Sequence, residues 1–300
     1  MILLKRVVIG SALLFGLASI GQSAEPTIEV LRNQVFVERE SGPLAADVYR
    51  PHGAGPFPGM LVVHGGAWRM GARADLATIA QALAQHGYTA VAIDYRLAPT
   101  YKFPAQIYDC QAALRWMRSN ANELKIDTTR IGGFGYSAGG HLVALLGTLS
   151  DKQLREPGLP ANAPSTRLNV VVAGGAPCDF RVLPGDSERI AFWIGGTRDK
   201  MPNEYRDASP ASFITADDPP MYFFHGQQDL LVPLESATEM VKLLKGARVT
   251  AEMRVIRDAG HIQALFDRSA LDQGLAFADK YLKTQPVSKT PVEPQTGGGM

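Results

Sequence analysis

The sequence predicts an α/β architecture: a mostly parallel central sheet with helices on both faces. Three observations carry that prediction. Near-continuous apolar runs of strand length recur from residue 60 onward. Longer stretches with helical spacing separate them. The runs lack the in–out alternation of a half-exposed sheet, as expected of strands buried on both faces by crossover helices.

The elements follow in order. Residues 1–24 read as a signal peptide. Lys5 and Arg6 precede the uncharged run VVIGSALLFGLASI, and small residues follow in GQSAEP. A basic start, an apolar core of about 7–15 residues and a small-residue exit describe such a leader, whereas a membrane span wants about 20 apolar residues. Cleavage after Ala24 is the best fit, with Gly21 and Ser23 as alternatives. The expected location is the periplasm or the medium, with no integral membrane span in the mature chain.

Residues 25–284 read as one domain. Residues 28–50 alternate loosely around Ser41-Gly42-Pro43, an opening antiparallel hairpin. PHGAGPFPG is a turn-rich connector. The parallel strands are then MLVVHG (60–65), TAVAIDY (89–95), RIGGFGY (130–136), NVVVAGG (169–175), MYFFHG (221–226) and TAEMRVI (250–256). Helices are expected near 75–86, 105–121, 138–149, 234–245 and 270–283. Residues 176–219 form a long interval carrying Phe192 and Trp193, read as an insertion near the site. The tail 285–300 has no periodic apolar face and is expected to be disordered.

Composition narrows the function classes. The chain has 300 residues, 46% hydrophobic and 20% charged, with a formal net charge of +1. There is no long basic run, so nucleic acid is not an expected partner. Two cysteines, Cys110 and Cys178, allow at most one bridge. Two buried, inert thiols are the favoured reading. Neither cysteine has zinc-ligand spacing, so no metal is expected.

RIGGFGYS closes a buried strand and AGGHLVALLGTL opens a helix. Gly135-Tyr136-Ser137-Ala138-Gly139 is therefore a G-x-S-x-G sequence at a strand-to-helix junction, the setting of a nucleophile elbow. Side chains flanking so tight a turn would collide, and glycine removes the collision. A serine hydroxyl needs a base and a site for the oxyanion. His64-Gly65-Gly66-Ala67-Trp68 follows the first parallel strand, and its free N–H groups with that of Ala138 offer an oxyanion hole.

Of six histidines, His261 lies after the last strand, where a loop reaches the carboxyl edge of the sheet. His141 sits on the serine's own helix and points along it. His64 and His225 stand at strand ends as loop supports. Asp229, just beyond a strand in HGQQDLLVP, is the favoured acid, with Asp179 and Asp258 as rivals.

The chain resembles the α/β-hydrolase fold serine esterases of the hormone-sensitive-lipase-like and feruloyl- and acetylxylan-esterase-like group. The matching pieces are HGGAW, DYRLAP (94–99), FPAQIYDC (103–110), GYSAGGHL, DASPASFITADDPP (207–220), HGQQDLLVP and AGHIQALF, in that order over residues 60–266. The resemblance implies carboxylic-ester hydrolysis without a cofactor. It implies Ser137 as nucleophile, His261 as base, Asp229 as its partner, and Gly66, Ala67 and Ala138 as oxyanion donors. The substrate would be a small-molecule or polysaccharide ester. Ala67 and Trp68 replace the triple glycine of many lipase-like members. Trp68, a candidate substrate contact, gives the HGG-x-W form shared with arylformamidases, so an arylformamidase stands as the alternative, and a serine peptidase beside it. With Phe192 and Trp193, Trp68 is expected to shorten the acyl pocket to roughly acetyl-to-hexanoyl length.

Overall fold

The structure, a computed structural model, describes residues 28–283. The expected leader 1–24 and tail 285–300 lie outside the described residues.

β1 (Ile28–Arg39) and β2 (Gly42–Pro51) form the opening antiparallel hairpin. β3 (Phe57–Val63), α1 (Ala77–Gln85), β4 (Thr89–Ile93) and α2 (Ala105–Ser119) follow, the last continued by a short α3 (Ala121–Leu124). Next come β5 (Ile126–Tyr136), α4 (Ala138–Thr148) and β6 (Val170–Gly174). After the insertion stand β7 (Met221–Gly226), α7 (Leu234–Gly246), β8 (Ala251–Ile256), α8 (His261–Leu265) and α9 (Arg268–Leu282). The insertion itself holds α5 (Ala191–Ile194), α6 (Pro202–Asp207) and a 3-10 turn at Pro210–Ser212.

The eight strands form one sheet in the order β1-β2-β4-β3-β5-β6-β7-β8. β2 runs antiparallel to both neighbours, and β4, β3, β5, β6, β7 and β8 run parallel. Two apolar layers cover the sheet, as the predicted architecture requires. On one face α1 and α9 contribute Ala80, Leu83, Phe277 and Leu282. On the other, α2, α4 and α7 contribute Ile107, Leu114, Leu142 and Met240. All residues of α4 are buried, so the helix that starts at the elbow is walled in.

Three local differences from the expected elements have physical reasons. β3 begins at Phe57, inside the expected connector, because β5 also starts early and supplies a partner. The Phe57 N–H donates to the Lys125 carbonyl at 2.7 Å, and Phe57 pairs with Ile126. α8, α5 and α6 are too short to show a helical period. Trp193 is fully buried, stacked flat on Trp68 at 3.8 Å and 4°.

One buried ionic knot ties the hairpin end of the sheet to α2. Asp109 on α2 has no side-chain exposure. It accepts from the Arg96 Nε and Nη2 at 2.9 Å each, from the Arg96 N–H at 2.9 Å, and from the Arg39 Nε at 2.9 Å. This accounts for Arg96 and Asp109 within the two matching motifs.

Candidate active site

The site lies at the carboxyl edge of the parallel strands. Ser137 stands between β5 and α4 with φ 57° and ψ −121°. A non-glycine residue in such a region costs roughly 1–3 kcal/mol, held here by surrounding structure. A Cβ at Gly139 would stand 1.9 Å from the Val63 carbonyl oxygen, and one at Gly135 2.3 Å from that of Gly139. The pentapeptide's glycines are thus required by close backbone approach. The Ser137 N–H donates to the Gly174 carbonyl at 2.8 Å and fixes the turn to β6.

His261 opens α8, in the connection that follows β8. Its Nε2 is 2.8 Å from the Ser137 Oγ, and its Nδ1 is 2.6 Å from the Asp229 Oδ2. The Tyr136 hydroxyl donates to the His261 carbonyl, so the residue before the serine anchors the ring opposite it. A carboxylate can only accept at Nδ1, which leaves Nε2 as acceptor for the serine proton. The Asp229 side chain has no exposure. Its Oδ1 takes the N–H groups of Leu231 and Val232 at 2.9 Å each. The rival acids are engaged elsewhere: Asp179 pairs with Arg181 at 2.7 Å, and Asp258 accepts from the Gln228 amide at 3.3 Å.

His225, expected only to support a loop, reaches the site. Its Nε2 is 3.2 Å from the Asp229 Oδ2 and 2.9 Å from the Val232 carbonyl oxygen. The sequence signal was its place four residues before Asp229, which is uninformative until the loop is folded.

Across the cleft, Gly66, Ala67 and Trp68 take φ values of 105°, 51° and 59°. A Cβ at Gly66 would lie 2.1 Å from the Met70 carbonyl oxygen, which Gly66 must clear for the loop to close. Among the described residues, no acceptor is found for the N–H groups of Gly66, Ala67 or Ala138. Ala67 and Ala138 line the cleft with Ser137 and His261, whereas Gly66 does not. Unpaired donors at that edge are poised for developing negative charge.

Trp68 lines the cleft and is otherwise buried. Its indole N–H donates to the His141 Nδ1 at 3.2 Å. The His141 Nε2 stands 2.7 Å from the Ala208 carbonyl oxygen of the insertion, so Nε2 carries the proton. Full burial pushes the His141 pKa down to about 4 and keeps the ring neutral.

The cleft has a volume of about 560 Å³. Phe180, Leu183 and Phe192 of the insertion line it together with Met240 and Leu243 of α7. Trp193 is not among its lining residues, which corrects the expectation that this tryptophan bounds the acyl pocket: it backs Trp68 instead. Cys178 lines the cleft wall as a free, buried thiol, and burial pushes its pKa up. Cys110 is likewise free and buried. Among the described residues, no group of three or more His, Cys, Asp or Glu side chains is placed to hold a metal ion. No described helix is long and apolar enough to cross a membrane.

The sheet order, the serine turn and the histidine–carboxylate pair at the sheet edge are those of the α/β-hydrolase fold, shared with solved esterases. Within that fold the chain belongs to the BD-FAE family, whose model matches residues 46–244. Esterase LipC of Mycobacterium tuberculosis (strain ATCC 25618 / H37Rv) is 33% identical over 220 residues, covering 71% of this chain and 54% of LipC. A truncated form of a carbohydrate esterase from gut microbiota superposes with a TM-score of 0.77 at 26% identity, covering 87% of this chain and 99% of that one. A thermophilic esterase of Thermogutta terrifontis with propionate bound gives a TM-score of 0.70 at 26% identity, covering 88% and 97%. The chain spans little more than half the length of the first curated relatives it matches.

Proposed function

We propose that this chain is a serine carboxylic-ester hydrolase that works through an acyl-enzyme on short-chain esters. The observation that carries the reading is the hydrogen-bonded line from Asp229 through His261 to the Ser137 Oγ, facing the unpaired N–H groups of Ala67 and Ala138 in one apolar cleft.

The reaction follows from those atoms. The Ser137 Oγ attacks the ester carbonyl carbon while His261 Nε2 takes its proton. The carbonyl oxygen becomes an oxyanion and is held by the Ala67 and Ala138 N–H groups, each such donor being worth about 2.7–4 kcal/mol. His261, now an imidazolium stabilised by Asp229, returns the proton to the departing alcohol oxygen as the C–O bond breaks. Water repeats the sequence on the acyl-enzyme, releasing the acid and restoring Ser137. Every step closes on protein groups and water.

Short acyl groups, acetyl to hexanoyl, are the proposed preference. Trp68 beside the oxyanion loop and Phe192, both lining the cleft, support it. The propionate-bound neighbour points the same way. Acetyl or aryl esters of polysaccharides are the proposed natural class, supported by the likeness to a carbohydrate esterase. The trait that raised an arylformamidase reading, Trp68, has a structural use here: it donates to His141 and stacks on Trp193. We also propose that residues 1–24 are removed on export and that the enzyme works in the periplasm or the medium. N-terminal sequencing that returned Met1 from the exported protein would sink that part.

The deciding measurement is kcat/KM on chromogenic acetate, butyrate, hexanoate, octanoate and palmitate, beside acetylated xylan, a feruloyl ester and N-formylkynurenine. A freely accepting pocket gains about 0.8 kcal/mol per added methylene, so rates that rise through palmitate would remove the short-acyl proposal. Rapid turnover of N-formylkynurenine with all esters slow would replace the esterase by a formamidase.

A further inference from the structure

We propose that His225 is a positioning residue for the reaction, which holds Asp229 by donating its Nε2–H to the oxygen that faces His261. This rests on the esterase reading above.

The tautomer follows from the neighbours. His225 Nε2 has two partners in reach, the Val232 carbonyl oxygen at 2.9 Å and the Asp229 Oδ2 at 3.2 Å. Both only accept, so Nε2 carries the proton. Nδ1 is buried with no partner among the described residues, as a bare nitrogen in an apolar setting would be. The ring has no exposure. Burial lowers the His225 pKa and keeps it a neutral donor, with the facing Asp229 opposing and His261 adding to that shift. The other ionisable groups nearby are turned away: the Tyr136 phenol donates to the His261 carbonyl, and Asp258 is engaged by Gln228.

Counting this N–H, which is shared with the nearer Val232 carbonyl oxygen, the Asp229 carboxylate has four donors. Two backbone N–H groups take Oδ1; the His261 Nδ1 and the His225 Nε2 share Oδ2. A carboxylate offers about four lone-pair sites. It therefore cannot rotate without breaking bonds, and Oδ2 stays in line with His261. The fourth donor also draws charge from Oδ2, so the proton on His261 Nδ1 stays with the imidazole. Removing it leaves Oδ1 clamped by the backbone but makes Oδ2 a stronger acceptor, which favours the imidazolium.

The variants are His225→Leu, which removes the donor, and His225→Gln, whose amide N–H can replace Nε2–H. Each is checked for folding by circular dichroism. His225→Leu is expected to lower kcat/KM for a short ester about ten- to a hundredfold, the worth of one hydrogen bond to a charged group. The acid limb of its pH profile moves to higher pH. The downfield proton resonance of the His261 Nδ1–H moves further downfield. His225→Gln restores all three readouts toward wild type. A ring that merely props the loop would lower activity or stability with the limb and the resonance unmoved, and that result overturns the proposal. So does a folded His225→Leu protein with wild-type activity. If the leucine variant does not fold, His225→Phe is read by the same limb and resonance: shifted readouts uphold the proposal, and unmoved ones, or a proton on Nδ1 of His225 in the wild type, overturn it. The resonance readouts need no substrate. A failure of the esterase reading, with no ester turned over by wild type, is thus distinguishable from a failure of His225.

Discussion

Asp109 and Asp229 are both carboxylates with no side-chain exposure, yet their surroundings differ in kind. Asp109 sits between two guanidiniums, Arg39 and Arg96. Among the described residues Asp229 has no guanidinium partner; two amide N–H groups and two imidazoles surround it. Permanent cations cancel a carboxylate's field and lock the elements that carry them. Neutral dipoles hold a carboxylate in place but leave its charge for an imidazolium that forms only during turnover. The first arrangement suits a scaffold joint between β1, the loop after β4 and α2. The second suits a proton-handling pair.

Substitution at the reacting end gives the largest expected effects. Ser137→Ala should lower kcat on the order of 10⁶-fold. Asp229→Asn should lower it about 10⁴-fold, since the amide cannot fix the same tautomer. Neither should move the melting temperature by more than a few degrees, and a calorimetric scan beside single-turnover kinetics reads both.

Asp109→Asn should do the opposite. Leaving two partly buried guanidiniums short of one carboxylate costs stability, by less than the about 3–5 kcal/mol of breaking a fully buried pair. Turnover per folded molecule should stay within severalfold of wild type. Urea unfolding with active-site titration separates the two, and loss of turnover in a fully folded Asp109→Asn protein would dissolve the contrast.

Gly66→Ala tests whether the oxyanion loop belongs with the reacting group. The added Cβ, 2.1 Å from the Met70 carbonyl oxygen at φ +105°, must displace the loop. The expected cost is about 10²–10³ in kcat, that of losing one oxyanion donor. A change in KM alone would remove the loop from that role.

His141 extends the comparison to pH. Its folded pKa of about 4 lies below the unfolded value of about 6.5. Above pH 6.5 both states are neutral and the contribution is complete. As pH falls, the unfolded chain takes a proton that the buried ring refuses. The contribution is therefore lost progressively down to about pH 4, by about 3 kcal/mol. His64 and His225 are shifted in the same direction by burial and add to the slope. Unfolding free energies at pH 7 and pH 4.5 should differ less in His141→Gln than in wild type; an equal difference would refute the assignment. The exposed pair Glu239–Lys242, 3.1 Å apart, supplies the smallest effect. Lys242→Ala should change stability by under about 0.5 kcal/mol, because water screens a pair that burial does not hold.

The strand runs and the elbow were legible because each is written in local spacing. A buried strand needs consecutive apolar residues, and a strand-to-helix turn this tight needs glycine at fixed offsets. The choice among Asp229, Asp179 and Asp258 was only favoured by the sequence. The sheet order brings the loop after β7 against the connection after β8, which carries His261, while Asp179 after β6 is taken by Arg181.

Other features were set by contacts remote in the chain. The place of Trp193 behind Trp68 joins residues 125 apart in the numbering. The left-handed backbone at Ala67 and Trp68 is imposed by the loop's closure on Met70, since nothing in alanine or tryptophan announces a positive φ. The bond from His225 to Asp229 depends on where the intervening loop folds. What the sequence determined by itself was what short-range sterics and hydrophobic period can encode: strand, turn, helix and the residue types at the sheet edge. Which polar group meets which was left to the tertiary structure, because a hydrogen bond depends on distance and direction that only the packed sheet sets.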